Sequence, residues 1–173
     1  LLIDHAWGYE PCTMADIKAY KPSNNSIGSG QVLHCPYDFN KAKLIVREMA
    51  DLLALDLVDK GLVTDQIVLT VGYDIENLNT ADKRKAYKGE VTTDYYGRKV
   101  PKHAHGTINL EQKTSSTKDI VNAAMKLYDR IVNKDMFIRR AYIVANHVID
   151  EKTVMKPAFE QLDLFTDYEE VKK

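Results

Sequence analysis

The order of apolar and polar residues along the chain predicts four β-strands. Residues 66–73 alternate cleanly between the two classes, which is the pattern of a strand with one buried side. Residues 27–35 contain glycines at alternate positions, and residues 102–111 alternate again. Residues 136–149 are strongly apolar except for a pair of arginines. These four segments are the predicted strands.

Two amphipathic helices are predicted between the strands. Asp38 is expected to cap the first, which ends near Lys60 with Gly61 as a stop signal. Ser115 or Ser116 is expected to cap the second. Apolar residues at i, i+3, i+4 and i+7 form the expected buried sides. They are Ala42, Ile45, Val46, Met49, Leu52 and Leu53 in the first helix, and Ile120, Ala124, Leu127, Tyr128 and Ile131 in the second.

The resulting order, β-α-β-β-α-β, predicts an α+β fold with a four-stranded sheet. Right-handed crossovers between parallel strands place both helices on one side of this sheet. The other side, here called the open face, is left to solvent. The strand at 102–111 places His103, His105, Thr107 and Asn109 on that face. Such polar donors are suited to phosphate contacts.

Three regions are expected along the chain. Residues 1–25 form a short N-terminal piece, with a helical turn from Thr13 to Ala19 and a capping box between Thr13 and Asp16. Residues 26–150 form the main domain. Within it, residues 75–101 are a long polar excursion with a predicted hairpin around Tyr95-Tyr96-Gly97-Arg98. Residues 151–173 form a tail.

Charge is distributed unevenly along a chain of 173 residues whose net charge is only −1. Residues 98–140 contain 10 basic and 4 acidic residues, whereas residues 160–173 contain 2 basic and 5 acidic ones. The basic segment is either a phosphate-facing surface or a solvated helix face. Near-neutral bulk charge therefore does not exclude nucleic acid as a partner.

Composition is that of a soluble globular protein, with 45% apolar and 28% charged residues. Cys12 and Cys35 are too few for a disulfide framework, so reduced thiols and a cytoplasmic location are expected, with Cys35 in the core. No apolar run has the roughly 20 residues that span a bilayer, so no membrane partner is expected. Because the chain begins with Leu1, we expect a fragment of a longer protein.

Few residues suggest catalysis or metal binding. His103 and His105 share a face, but no third ligand has a telling spacing, so no metal site is expected. No set of carboxylates suggests catalysis. Tyr87, Tyr95 and Tyr96 lie among basic residues, where they either stack on bases or cover the edge of the excursion.

The tail contains the sequence Gln161-Leu162-Asp163-Leu164-Phe165. Apolar residues in an otherwise polar tail are typical of a short peptide that docks in a partner's pocket. Alternatively, their alternation allows them to pack on the domain as a terminal strand.

Five segments, in order, resemble the C-terminal region of Y-family translesion DNA polymerases of the ImpB/MucB/SamB type. Asp4–Gly8 through Lys21-Pro22 resembles the end of the thumb domain, and Ser26–Gly30 the start of the little finger domain. Lys102–Thr107 resembles its third strand, and Phe137–Arg140 the paired arginines of its last strand. The pentapeptide at 161–165 resembles the bacterial sliding-clamp-binding motif.

This resemblance implies a domain that grips the backbones of primer and template and recruits its polymerase to the sliding clamp. The implied DNA contacts are Ser26, Gly28, Ser29, Lys102, His103, Thr107, Arg139 and Arg140. The implied clamp contacts are Gln161, Leu162, Leu164 and Phe165. Of the two arginines, strand alternation favours Arg140 as the one facing outward, with Arg139 acting at a strand end.

The resemblance also implies that catalysis belongs elsewhere in the parent protein. The carboxylates and Mg²⁺ ions of phosphoryl transfer are expected in the palm domain, N-terminal to this chain, so the fragment is expected to be non-catalytic and without cofactor. A monomeric fragment, and a parent acting in the SOS response to DNA damage, are further expectations. The alternative is a free-standing ferredoxin-like regulatory or protein-interaction module.

Overall fold

A computed structural model describes residues 6–21 and 25–154 of the chain. The clamp-motif residues 161–165 lie outside the described residues. The elements are α1 (Met14–Ala19), β1 (Ser26–Tyr37), α2 (Phe39–Asp59), β2 (Leu62–Tyr73), a 3₁₀ turn (Ile75–Leu78), α3 (Ala81–Ala86), β3 (Val91–Thr93), β4 (Lys99–Pro101), β5 (Ala104–Thr114), α4 (Thr117–Ile131), β6 (Ile138–Asn146), β7 (Ile149–Asp150) and a 3₁₀ turn (Glu151–Thr153).

The main sheet has the strand order β1-β6-β2-β5, and every neighbouring pair is antiparallel. The short strand β7 pairs with one end of β2. The two strands joined by α2 are parallel to each other, but β6 lies between them rather than leaving them as neighbours. Both predicted helices pack on one side of this sheet and against each other. The predicted α+β fold, with its β-α-β-β-α-β order, is confirmed.

The core lies between the sheet and the helix pair. Helix α4 contributes Ile120, Ala124, Leu127 and Tyr128 as predicted, and the alternation of β2 buries Ile67, Leu69 and Val71. Helix α2 is rotated slightly from its predicted orientation. It buries Ala50, Ala54 and Leu57, while Leu52 is exposed, so that assignment was wrong.

The helices begin where the sequence places their caps. The Asp38 carboxylate accepts a hydrogen bond from the Lys41 amide at 2.9 Å, and Gly61, with a φ of +63°, follows the end of α2. Ser116, rather than Ser115, caps α4. Thr13 and Asp16 form the predicted capping box of α1. Local side-chain chemistry therefore sets these boundaries.

The excursion at 75–101 has its own secondary structure. After the 3₁₀ turn and α3, the strands β3 and β4 form a hairpin around the predicted turn. Asn77 joins this region to the sheet, because its Nδ2 donates to the Phe137 carbonyl at 2.8 Å and its Oδ1 accepts from the Phe137 amide at 2.9 Å. The excursion is thus attached at the start of β6.

Both cysteines are free and exposed. The expectation that Cys35 belongs to the core was wrong. It lies in β1, an edge strand, where the register with β6 is irregular between Val32 and Tyr37. In the part of the chain that the structure describes, no helix is long and apolar enough to cross a membrane.

Candidate nucleic-acid interface

Strand register fixes the residues of the open face as a regular array across four strands. Fifteen positions alternate away from the helices, and His103, directly before β5, borders the last row. From β1 to β5 the rows are Ser26, Asn146, Gln66 and Asn109; Gly28, Val144, Val68 and Thr107; Gly30, Tyr142, Thr70 and His105; and Val32, Arg140, Gly72 and His103. None of these sixteen residues is Asp or Glu. The array therefore carries no carboxylate that would repel a phosphate.

The first row is a chain of side-chain amides. Asn146 Nδ2 donates to Gln66 Oε1 at 3.0 Å, and Gln66 Nε2 donates to Asn109 Oδ1 at 2.9 Å. These bonds join three strands and help to fix their register. Since each primary amide has two N–H donors, the row keeps hydrogen-bonding capacity for a ligand beyond these two bonds.

Arg140 lies flat against the sheet. A β-carbon built on Gly72 would come within 2.5 Å of Arg140 Cγ and 2.6 Å of its Nε. The guanidinium is therefore carried across β2 in the space that a side chain at Gly72 would occupy. An arginine presented in this way offers planar N–H donors along the face rather than extending from it.

Tyr142 lies across the neighbouring edge strand. A β-carbon at Gly30 would be 2.7 Å from its Cδ2, and one at Gly28 would be 3.0 Å from its hydroxyl oxygen. Tyr142 as a whole residue is 49% exposed. The two glycines thus create the space in which an aromatic ring lies on the sheet surface.

A shallow depression of about 360 Å³ lies where these side chains meet. Its lining is Gly30, Gln31, Val32, Thr70, Gly72, His103, Arg140, Ala141 and Tyr142. The surface of this depression is mainly apolar, and its polar side chains include Arg140, His103 and Thr70. Such a surface combines van der Waals contact for a sugar with donors for an adjacent phosphate.

Two histidines extend the polar surface along β5. The rings of His103 and His105 are nearly perpendicular, with centroids 6.4 Å apart. His105 Nδ1 lies 2.9 Å from Thr70 Oγ1. Among the described residues, no three His, Cys, Asp or Glu side chains cluster as a metal site would require. The arrangement suits hydrogen bonding to an anion.

An acidic residue next to the amide row is neutralised by its neighbours. Asp65 accepts from Lys113 Nζ at 2.8 Å, and His147 Nδ1 lies 2.8 Å from its other oxygen. The hydrogen bond from Lys113, with a smaller contribution from His147, lowers the pKa of the Asp65 carboxyl. The negative charge of Asp65 is thus compensated locally, at the border of the open face.

Five of the eight sequence-predicted DNA contacts belong to the array. Ser26, Gly28, His103, Thr107 and Arg140 share the open face. The interpretation of Arg140 as the outward-facing member of the arginine pair is confirmed.

The other three are not brought onto the open face. Ser29 aligns with buried Ile143 and so points to the helix side, at the exposed edge of β1. Lys102 forms a 2.6 Å ion pair with Glu90. Arg139 donates to the His34 carbonyl at 3.1 Å and lies 3.8 Å from the Asp74 carboxylate.

Sequence reasoning missed Tyr142 as part of this surface. The available signal was its position two residues after Arg140, which gives it the same side of β6. Its ring contacts Gly30, more than a hundred positions earlier in the chain. Only the pairing of β1 with β6 reveals that contact.

The impB/mucB/samB family C-terminal domain matches residues 24–164. The fold is similar to that of a chain in a solved structure described as a complex of the beta-clamp processivity factor and the little finger domain of PolIV. The identity is 12%, the TM-score is 0.44, and the match covers 82% of this chain and 100% of that chain. It is also similar to an insertion ternary complex of Dbh DNA polymerase, with 10% identity, a TM-score of 0.47, and coverage of 78% and 33%. A search of curated protein sequences gave no match.

The chain belongs to the impB/mucB/samB family, as its C-terminal domain. The resemblance to proteins of the ImpB/MucB/SamB type that was drawn from the sequence is confirmed. Nothing supports the alternative of a ferredoxin-like regulatory module. The chain spans about a third of the length of the Dbh polymerase chain.

Proposed function

We propose that the open face binds the sugar-phosphate backbone of primer-template DNA for a translesion polymerase. The observation that carries this proposal is the sixteen-residue array, which has no carboxylate and has Arg140 lying along it. Backbone contacts from arginine and uncharged donors position a protein on DNA without selecting sequence. That property suits an enzyme that copies any template.

The proposed contacts divide into two groups. Ser26, Gly28, His103, Thr107 and Arg140 act from the open face itself. The remaining three, Ser29, Lys102 and Arg139, act at its margins, where a backbone passing the sheet edge comes within reach.

A charge-placement experiment tests this proposal directly. Val32→Glu puts a carboxylate beside Arg140, at a residue that is 72% exposed, so the fold should be preserved. Val58→Glu makes the same change on α2, on the other side of the sheet, at a residue that is 57% exposed. Fluorescence anisotropy with a labelled primer-template should show weaker binding for Val32→Glu alone. Equal binding by both variants and the unchanged chain would remove the open face as the interface.

We further propose that the tail binds the sliding clamp. Gln161 would hydrogen-bond in the clamp groove, while Leu162, Leu164 and Phe165 fill its apolar pocket. The support is the pentapeptide sequence. A Leu164→Ala/Phe165→Ala double variant should lose the clamp in a pull-down and keep DNA binding, and retained clamp binding would contradict the assignment.

The parent protein is proposed to be a cytoplasmic DNA-directed DNA polymerase that acts in the SOS response, with this domain as a monomeric, non-catalytic part. Its Mg²⁺ would be held by palm-domain carboxylates outside this chain, where it would supply the charge stabilisation of phosphoryl transfer. Primer extension across a damaged template by the whole protein tests this, and an inactive whole protein with intact palm motifs would contradict it.

A further inference from the structure

The hairpin of β3 and β4 presents two aromatic rings to solvent. Tyr95 is 97% exposed and Tyr96 is 76% exposed, both at the turn between the strands. Their ring centroids are 5.5 Å apart in an edge-to-face arrangement. The Arg98 guanidinium lies 5.2 Å from the centre of the Tyr96 ring. Aromatic rings this exposed contribute almost nothing to the buried core.

The turn that carries these rings is held by its own hydrogen bonds. Asp94 accepts from the Tyr96 amide at 3.0 Å, from the Arg98 amide at 2.8 Å and from Arg98 Nε at 2.7 Å. Gly97, with a φ of +77°, donates its amide to the Asp94 carbonyl at 3.0 Å. The aromatic pair is therefore preorganised, which lowers the entropy cost of binding.

The surroundings of the rings are basic. Residues 81–102 contain seven Lys or Arg and three Asp or Glu. Two of those acids, Glu90 and Asp94, are ion-paired with Lys102 and Arg98, so these pairs leave the excess of basic residues unchanged. Arg84, Arg98 and Lys99 border one shallow depression of about 420 Å³. The excursion as a whole is therefore complementary to a polyanion.

We propose that the hairpin tip binds an unpaired strand of nucleic acid, by stacking bases on Tyr95 and Tyr96 while Arg98 and Lys99 contact phosphates. Bases expose their faces for stacking only when they are unpaired, and such stacking tolerates any sequence. Only Lys102 separates β4 from His103, so the hairpin leaves the sheet beside the Arg140 row of the array. This second site is distinct from the open face, which is proposed to hold duplex.

Anisotropy on the full chain with two labelled probes tests the assignment. The probes are a thymidine oligonucleotide of about 12 nucleotides and a blunt duplex. Tyr95→Ala/Tyr96→Ala should bind the single strand at least about fivefold more weakly, the low end of the range for base stacking. Binding to the duplex should be unchanged. Tyr95→Phe/Tyr96→Phe, which keeps the rings, should match the unchanged chain.

Arg140→Ala is the matched control at the other site, and should weaken duplex binding while leaving single-strand binding intact. Unchanged single-strand binding by the alanine pair would overturn the hairpin proposal. An equal loss on both probes would also overturn it, as would a phenylalanine pair as weak as the alanine pair. If Arg140→Ala binds duplex normally while the tyrosine variants behave as expected, the result contradicts the proposed duplex interface on the open face. The hairpin proposal is then supported.

Discussion

The neighbouring residues Arg139 and Arg140 allow the proposed interface to be tested with one substitution made at two adjacent positions. Arg140 lies on the open face across Gly72, whereas Arg139 is bonded within the protein to His34 and Asp74. Each arginine is replaced by alanine in turn. We expect Arg140→Ala to weaken DNA binding without a loss of stability. Arg139→Ala should cost stability and, as a contact proposed only at the margin of the face, weaken DNA binding less.

For Arg140→Ala the expected effect is on the salt dependence of duplex binding. One phosphate contact contributes about 0.9 to the slope of log affinity against log salt concentration. Between about 50 mM and about 200 mM salt, the affinity advantage of the unchanged chain over the variant should therefore fall about 3.5-fold. Because Arg140 is exposed, its loss should leave the urea midpoint unchanged.

For Arg139→Ala the expected effect is on the free energy of unfolding. The variant loses the 3.1 Å hydrogen bond to the His34 carbonyl and the cation beside Asp74, whose side chain is only 9% exposed. Since the Arg139 side chain is itself 41% exposed, solvent screening limits the cost to about 1 kcal/mol. Urea denaturation followed by circular dichroism measures this loss.

The reasoning fails if the two variants exchange behaviours. A salt slope that falls in Arg139→Ala and is unchanged in Arg140→Ala would mean that DNA approaches the other side of β6. A loss for Arg140→Ala that depends on base sequence would indicate groove readout instead of backbone contact.

Three further substitutions test the fold and its pH dependence. Tyr128→Phe removes a buried hydroxyl that donates to the Phe39 carbonyl at 2.9 Å, and should cost about 1 kcal/mol in urea denaturation; no cost would mean that this bond adds nothing. Gly106→Ala would place a methyl group 2.8 Å from Ile131 Cγ2 and should cost about 1 kcal/mol, the low end for overpacking, so a stabilised variant would contradict the packing. Asp65 has a lowered pKa in the fold, so its ionised form contributes stability above the usual value of 3.8, and this is lost as pH falls through the folded value. Asp65→Asn should therefore be less stable by under about 1 kcal/mol at neutral pH, because the Asp65 side chain is partly exposed to solvent, with no difference in strong acid.

Much of the fold was predictable because the relevant signals are local. Side-chain alternation in β2 and the caps at Asp38 and Ser116 each depend on a few consecutive residues. Leu52 is a residue for which this local reasoning gave the wrong burial. A helical wheel shows an apolar stripe but not its exact centre, and the alanines Ala50 and Ala54 set the centre by allowing close packing.

The candidate site was predictable in part for the same reason. Alternation along the predicted strand at 102–111 placed His103 and Thr107 on the open face, and alternation in β6 separated Arg140 from Arg139. The space for Tyr142 was not predictable, because it is created by Gly28 and Gly30 on a strand distant in sequence. Cross-strand neighbours are a property of register, and register is read only from the folded sheet.

The structure shows that the basic segment at 98–140 does not form one continuous basic surface on the open face. Of its ten Lys and Arg residues, only Arg140 belongs to the sixteen-residue array. Arg98, Lys102 and Lys113 are ion-paired with carboxylates elsewhere on the surface. The proposed interface is thus distinguished less by concentrated positive charge than by the absence of Asp and Glu from the sixteen positions of the array. A surface of this kind makes few charge-charge contacts with DNA and binds it partly through hydrogen bonds from uncharged donors. Its affinity for DNA should therefore depend only weakly on salt concentration. Removing Arg140, which is the one Lys or Arg of the array, should therefore remove a measurable share of the slope.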